Sequence, residues 1–288
     1  MLMRAKSRLR AYWAMTKSLQ TGLLLVTGLA GYMSARCPVR DGATLLSVAG
    51  SLFLAISGST VLNMVYDRDI DSKMQRSCRR PLPAGAVSVA EALALGIVLA
   101  LLGVGWAFTM STAYGLVVLA GLLFDVVIYT VWLKRRTSWS IIWGGVAGGM
   151  PILAGRVLGV GTVDGVGLLL ALAVLLWIPT HIMTFSIRYQ ADYARAAIPT
   201  FPSTYGVPIT RLAIALSSVG ASVAVTVAAL AIGMTMGYLV VLGVLAFGLL
   251  ALALASLVRP SERLNFGLFK YASLYMLSSM VLVAASAA

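Results

Sequence analysis

Apolar residues run along most of this chain in long stretches, and polar residues collect at their ends. Stretches long enough to cross a bilayer, about 20 residues each, fall at 18–35, 44–66, 88–108, 112–133, 138–157, 165–189, 208–233, 236–258 and 267–286. The pattern predicts an all-α integral membrane protein, with nine transmembrane helices in a single domain over 1–288. Two separations rest on very few residues, one at Ser111 and one at Gly233–Met236. Joins that short fit tight hairpins between neighbouring helices.

Composition agrees with the pattern. Of 288 residues, 60% are hydrophobic and 11% charged, against about 25% charged in a soluble domain. The net charge of +13 is therefore read as topology rather than as a nucleic-acid footprint. With the N-terminus inside, every one of the 22 Lys and Arg residues except Arg36, Arg40 and Arg156 falls on the cytoplasmic side. That asymmetry predicts a cytoplasmic N-terminus and an outer C-terminus. Cys37 and Cys78 then lie on opposite sides of the membrane and do not pair. The start lacks a short apolar core followed by a small-residue cleavage site, so no cleaved signal peptide is expected. The polar loops 67–87, 134–138 and 189–207 all face the cytoplasm. Chemistry belongs to that side of the cell membrane.

The first polar stretch, Asn63 to Pro81, holds Asp67, Asp69 and Asp71, three of the nine acidic residues. On a helix, Asn63, Asp67 and Asp71 lie within roughly 80° of one another, and Asp69 points away. One face then carries an amide oxygen and two carboxylates. These are hard oxygen ligands of the kind Mg²⁺ takes together with waters and substrate phosphates. The plainer alternative is a solvated acidic turn closing a transmembrane helix. Arg68, Lys73, Arg76, Arg79 and Arg80 are interleaved with the acids. That mixture points to a metal–diphosphate site.

The second stretch runs from Trp177 to Pro202. It holds the single histidine, His181, then Arg188, Tyr189, Asp192 and Tyr193. Pro179 is expected to kink its helix. Tyr189, Asp192 and Tyr193 share a face. Asp192 lies opposite the first acid cluster, which favours a metal or phosphate role over a simple helix-end charge. For His181 two readings stand, a substrate contact and a hydrogen-bonded core residue. The third stretch runs from Tyr129 to Thr137. Lys134 and Arg135 are in reach of a diphosphate, and Arg136 reads as a topology anchor. Asp125, inside an apolar helix, is either functional or paired with a neighbouring helix. Gly144-Gly145 and Gly148-Gly149 are read as close helix packing.

These motifs resemble a known family. Asn63-xxx-Asp67-x-Asp69-x-Asp71, with Met74-x-Arg76-Ser77-xx-Arg80-Pro81-Leu82-Pro83, is similar to the first signature of the UbiA-type intramembrane prenyltransferases. The branch that prenylates protoheme IX is the most similar in wording. Thr16-Lys17, Tyr129–Thr137, Gly148–Pro151, His181, Arg188–Tyr193 and Ile198-Pro199-x-x-Pro202 also have counterparts there. Many members carry two aspartates four apart in the second motif. Here those positions are Tyr189 and Tyr193, and Asp192 is the only acid.

The resemblance implies nine helices around a central cavity capped by two acid-bearing loops. It implies a transferase that moves a prenyl group from farnesyl or geranylgeranyl diphosphate to a membrane-embedded acceptor, with heme as the first choice. Mg²⁺ would be held by Asn63, Asp67, Asp71 and Asp192. Lys17, Arg80, Lys134, Arg135 and Arg188 would meet the diphosphate, and Tyr189 and His181 would also bind substrate. Tyr129 and Tyr193 would steady an allylic cation with their ring faces. Other acceptors in view are an aromatic quinone precursor such as 4-hydroxybenzoate and a glycerol phosphate lipid. A secondary transporter is the rival from another class. Acids gathered at one interface, without repeat halves broken near the midplane, speak against it.

Overall fold

The computed structural model describes residues 2–36 and 41–287, all-helical with no strand among them. The helices are α1 (Leu2–Met15), α2 (Ser18–Ser34), α3 (Gly42–Tyr66), α4 (Arg68–Lys73), α5 (Val89–Met110) and α6 (Thr112–Leu123). After α6 the chain continues as a π-helix over Phe124–Leu133. Then come α7 (Ser140–Val160), α8 (Gly165–Arg188), α9 (Gln190–Arg195), α10 (Phe201–Ile232), α11 (Met236–Val258) and α12 (Glu262–Ala287). Cys37 and Arg40 lie outside the described residues.

Eight of these are long and apolar enough to cross a membrane: α3, α5, α6 with its π extension, α7, α8, α10, α11 and α12. α2 has 17 residues and spans about 26 Å at 1.5 Å per residue, a little short of a ~30 Å hydrocarbon layer. Large apolar side chains stand exposed along the outer faces, among them Leu101 on α5 and Val244, Phe247 and Leu254 on α11. A surface of that kind suits lipid, not water.

Local chemistry sets the helix ends. The Asp41 carboxylate accepts the Thr44 N–H at 2.7 Å and starts α3. Ser88 and Glu91 form a reciprocal capping box at α5, which satisfies two orphan donors at once. Ser111 is extended and parts α5 from α6. Gly233, with φ of +76°, closes α10 in the left-handed region, where glycine bears no Cβ penalty. α10 begins well before the expected 208. Pro202 enters its first turn, and Gly206 breaks it with φ 80° and ψ 161°.

α3 packs on α5, α8 on α10, and α7 on both α2 and α8. Small residues permit this closeness. A Cβ on Gly155 of α7 would collide with the Gly28 carbonyl oxygen of α2, and one on Gly149 would stand 2.8 Å from the Ala171 carbonyl oxygen of α8. The main core joins α8, α10 and α12 through Trp177, Leu170, Ile214, Val225, Tyr275 and Met276. A separate small cluster of Ile70, Met74, Ala196 and Ile198, with Tyr193 against it, ties the segment after α3 to the segment after α8. That contact brings the two acid-bearing stretches together.

Candidate active site

α3 ends at Tyr66, and Asp67 stands between α3 and α4 with φ −86° and ψ 3°. The helical ladder still runs through the break. Asp67 N–H donates to Asn63 O at 2.9 Å, and Asp71 N–H to Asp67 O at 2.8 Å. The four-residue phase therefore survives. Asp67 and Asp71 are buried at 5% and 4% exposure, whereas the Asp69 side chain is 53% exposed.

Buried carboxylates need counter-ions, and each acid has one. Lys134 Nζ donates to Asp67 Oδ2. Arg80 Nη1 donates to Asp71 Oδ2 at 2.7 Å. Arg135 forks onto both oxygens of Asp69 at 2.7 and 2.8 Å. It also donates to Tyr66 O at 2.8 Å and lies 4.6 Å over the Tyr66 ring. The hydrogen bond from Arg135 holds the Asp69 carboxyl below the usual range. The π-helix is what aims these cations. Its last bond runs from Lys134 N–H to Tyr129 O, five residues back, at 2.8 Å. π turns often mark functional sites. Lys134 Nζ ends 5.7 Å from the centre of the Tyr129 ring.

Lys17 enters from a third direction. It adopts φ 45° and ψ 54°, a left-handed conformation rare outside glycine. Burial pulls its pKa down to about 8, with Arg80 and Lys134 adding to the effect. A cation crowded by other cations is poised for an anionic guest.

The second stretch closes the site from the other side. Asp192 is 5% exposed. Its oxygens accept the backbone N–H groups of Gln75 at 3.2 Å and Arg76 at 3.3 Å, and Arg195 pairs with it at 3.0 Å. Arg76 reaches across to Tyr193, 5.3 Å above its ring, and to Phe185 at 5.0 Å. Tyr189 packs on Phe185 with ring centres 4.5 Å apart. Arg188 turns towards α12, 4.1 Å over the Phe266 ring and 3.5 Å from Glu262. His181 is stacked between Trp177 and Phe269 at 4.9 and 4.5 Å, and its Nδ1 lies 3.1 Å from the Ser273 hydroxyl.

The geometry thus gathers Asn63, Asp67, Asp71, Arg80, Tyr129, Lys134 and Lys17 at one mouth. Asp192 and Tyr193 are docked against the same loop through Arg76. Sequence reasoning named Arg76 as one of five cations and as a member of the first signature, without a role of its own. Its backbone N–H, ring contacts and place between two loops had no signature of their own. Asp125 has a partner on α3: Asn63 Nδ2 donates to its Oδ2 at 2.7 Å, and the Ser59 hydroxyl donates to the same oxygen.

The donor set fits Mg²⁺. Asn63 Oδ1 and Asp67 Oδ1 are shut off from solvent with no hydrogen-bond donor. Two buried hard oxygens one turn apart need a positive partner. Among the described residues no three His, Cys, Asp or Glu side chains converge. An ion here would be completed by phosphate oxygens and waters, as Mg²⁺ prefers.

Comparison with known proteins follows the same direction. The model of the UbiA prenyltransferase family matches residues 24–277. The protoheme IX farnesyltransferase of Archaeoglobus fulgidus is 42% identical over 214 residues, covering 73% of this chain and 74% of that protein. A digeranylgeranylglyceryl phosphate synthase structure superposes with a TM-score of 0.79 at 18% identity, covering 97% of this chain and 98% of the other. A UbiA homologue from Archaeoglobus fulgidus bound to GPP and Mg²⁺ superposes with a TM-score of 0.71 at 17% identity, covering 96% and 99%. These structural likenesses establish the fold.

Proposed function

Because this chain belongs to the UbiA prenyltransferase family, we propose that it transfers a farnesyl group from farnesyl diphosphate to protoheme IX in the membrane. The observation that carries the reading is the buried acid pair Asp67 and Asp71, each held by a site cation, with Asn63 Oδ1 and Asp67 Oδ1 receiving no hydrogen bond. The acceptor follows the name of the relative that is 42% identical.

Asn63 and Asp67 would hold Mg²⁺ through those oxygens; Asp71 and Asp192 would join only by moving in on it, since no three acids converge among the described residues. Bound there, Mg²⁺ would neutralise diphosphate charge. The chain's own cations do the rest. Lys17, Arg80 and Lys134 converge on the mouth, where negative charge grows on the leaving diphosphate as its C–O bond breaks. Arg135 and Arg188 are engaged elsewhere and would join only by leaving Asp69 and Glu262. The rings of Tyr129 and Tyr193 would face the allylic carbon as it becomes positive. His181, held by two aromatic rings and Ser273, would present its remaining nitrogen to the acceptor, and Tyr189 would line the approach. Bilayer helices would keep water from the allylic cation until its carbon bonds to the acceptor, whose positive charge is then discharged by loss of a proton or uptake of water.

The same reading places the whole chain in one domain with nine spans, counting α2. The N-terminus and the site lie on the cytoplasmic side of the cell membrane, and the C-terminus outside. The placement of all but three of the Lys and Arg residues supports that orientation. The test is direct. Purified protein is given labelled farnesyl or geranylgeranyl diphosphate, Mg²⁺, and protoheme IX, 4-hydroxybenzoate or a glycerol phosphate lipid in parallel. A heme product carrying the farnesyl label is expected. Prenylation of another acceptor alone would displace heme. Solute flux in proteoliposomes without any product would revive a transporter.

A further inference from the structure

We infer that Asp125 is the positioning residue that turns the Asn63 amide so that its carbonyl oxygen serves the metal. The inference rests on the reading of Asn63 as a metal ligand and extends it to a residue one helix away.

An asparagine amide has two ends of similar shape and opposite chemistry. As a ligand it is useful only with oxygen forward. Something must therefore fix which end faces the site. Asn63 lies on α3, and Asp125 opens the π-helix beside it. The Asn63 Nδ2 to Asp125 Oδ2 distance is 2.7 Å. An ionised carboxylate only accepts hydrogen bonds, so the nitrogen end must face it. The oxygen end then faces the other way. Asn63 Oδ1 is indeed enclosed and receives no donor, like Asp67 Oδ1 one turn further on. Asp125 is in turn held by the Ser59 hydroxyl, which donates to the same oxygen. Ser59 lies one turn before Asn63 and is itself buried at 5% exposure. Ser59, Asp125 and Asn63 form a chain in which each hydrogen bond fixes the next.

This accounts for a costly feature. A carboxylate inside a membrane-spanning segment is expensive and calls for a task. The hydrogen-bond partners of Asp125 are neutral donors; Lys17 feels its charge without pairing with it, so a direct ion pair does not explain it. Orienting residues behind metal ligands commonly alter metal affinity by about 10- to 100-fold. The π-helix is part of the device, because it begins where Asp125 is presented and ends where Lys134 is aimed at Asp67.

The test exchanges the two groups. Full-length protein in detergent is titrated with Mn²⁺ in the presence of inorganic diphosphate, and bound ion is followed by electron paramagnetic resonance. Asp125→Asn can offer either end of an amide to Asn63, and should raise the Mn²⁺ half-saturation about 10-fold. Asn63→Asp sets two carboxylates face to face and should also weaken binding. The double variant N63D/D125N restores one amide against one carboxylate, and leaves an oxygen forward whichever way residue 63 turns. It should return to within about threefold of the unaltered protein. An unchanged D125N, or a double variant no better than the single ones, overturns the inference. Where D125N does not fold, Ser59→Ala loosens the same carboxylate by one hydrogen bond. It should weaken Mn²⁺ by about threefold, as a net loss below 1 kcal/mol implies, and no change would overturn the inference. Asn63→Ala separates the two levels. Normal Mn²⁺ binding by N63A would remove Asn63 from the metal site altogether, whereas loss in N63A with none in D125N would sink only the role of Asp125.

Discussion

Asp192→Asn separates a strut from a metal ligand. Asp192 is buried, and its two oxygens each take one backbone N–H, from Gln75 and Arg76. An asparagine keeps one acceptor and places an NH₂ where the other was. One charge-assisted hydrogen bond is lost, and a donor faces a donor. Bonds to charged groups contribute about 1.5–3 kcal/mol. At 3.2 and 3.3 Å these are long, so the low end, about 1.5 kcal/mol, is the appropriate figure. The Arg195 pair is half exposed on the arginine side and adds at most a few tenths. The docked loop should lose about 2 kcal/mol, or roughly 30-fold in its closing equilibrium. Hydrogen exchange at the Gln75 and Arg76 amides should accelerate by that factor. In the same variant, KM for farnesyl diphosphate should rise at least tenfold and fall partly as Mg²⁺ is raised. Unchanged exchange would refute the strut. Accelerated exchange with an unaltered Mg²⁺ titration would refute the ligand role and leave the strut alone.

Asp67→Ala and Asp71→Ala should each abolish turnover, whereas Asp69→Ala, which removes a half-exposed partner of Arg135, should keep activity within about tenfold. Equal severity in all three, measured by product formation, would contradict the phase argument. Lys134→Met leaves Asp67 with Arg135 at 3.9 Å as its nearest cation; breaking a buried pair costs about 3–5 kcal/mol. Partial exposure and Arg135 should reduce that to about 2, seen as a lower Tm that Mg²⁺ partly restores. Gly155→Val presses a side chain onto the Gly28 carbonyl and Tyr32 N–H and should cost at least 1–3 kcal/mol; a monodisperse product of unchanged Tm would refute the close α2–α7 contact. A membrane-impermeant thiol reagent should spare Cys78 in intact cells and label it in opened membranes. Labelling in intact cells would reverse the topology.

The membrane-crossing helices were legible because burial in lipid is written as uninterrupted apolar length. The turns at Ser111 and Gly233 were legible because an extended residue and a left-handed glycine are the chemistry such joins require. The separation of Asp67 and Asp71 from Asp69 was visible as four-residue spacing, and it persists because the backbone bonds run through the break at Asp67. Other features depend on contacts between distant segments. The π-helix has no pattern of its own, since Phe124–Leu133 reads as ordinary apolar helix. Its register shows only where Lys134 meets Asp67. The partner of Asp125 was beyond reach for the same reason. The early start of α10 was hidden by Pro202, Gly206 and Pro208, which read as loop until Thr200 and Ser203 are seen capping a helix. Asp192 was legible as a chemically special acid, but its hold on the Gln75 and Arg76 amides follows from loop docking through Ile70, Met74, Ala196 and Ile198.

The resting pairs at the mouth carry a consequence for binding. Asp67 and Asp71 are each neutralised by a cation from the chain itself, Lys134 and Arg80. Without those pairs, two buried carboxylates near each other would be intolerable. A metal–diphosphate guest brings both charges at once. Mg²⁺ bound there would be held by the carboxylate of Asp67, and by that of Asp71 once it moves in, and the diphosphate would be met by Lys134 and Arg80. On the proposed function every buried charge would then keep a partner, and none would have to be left desolvated and unpaired. A free diphosphate would satisfy the cations but strand the acids, and a free divalent ion would do the reverse. Each half alone should therefore bind weakly, and the two should bind cooperatively. Asp71 and Arg80 both lie outside the long membrane-crossing helices.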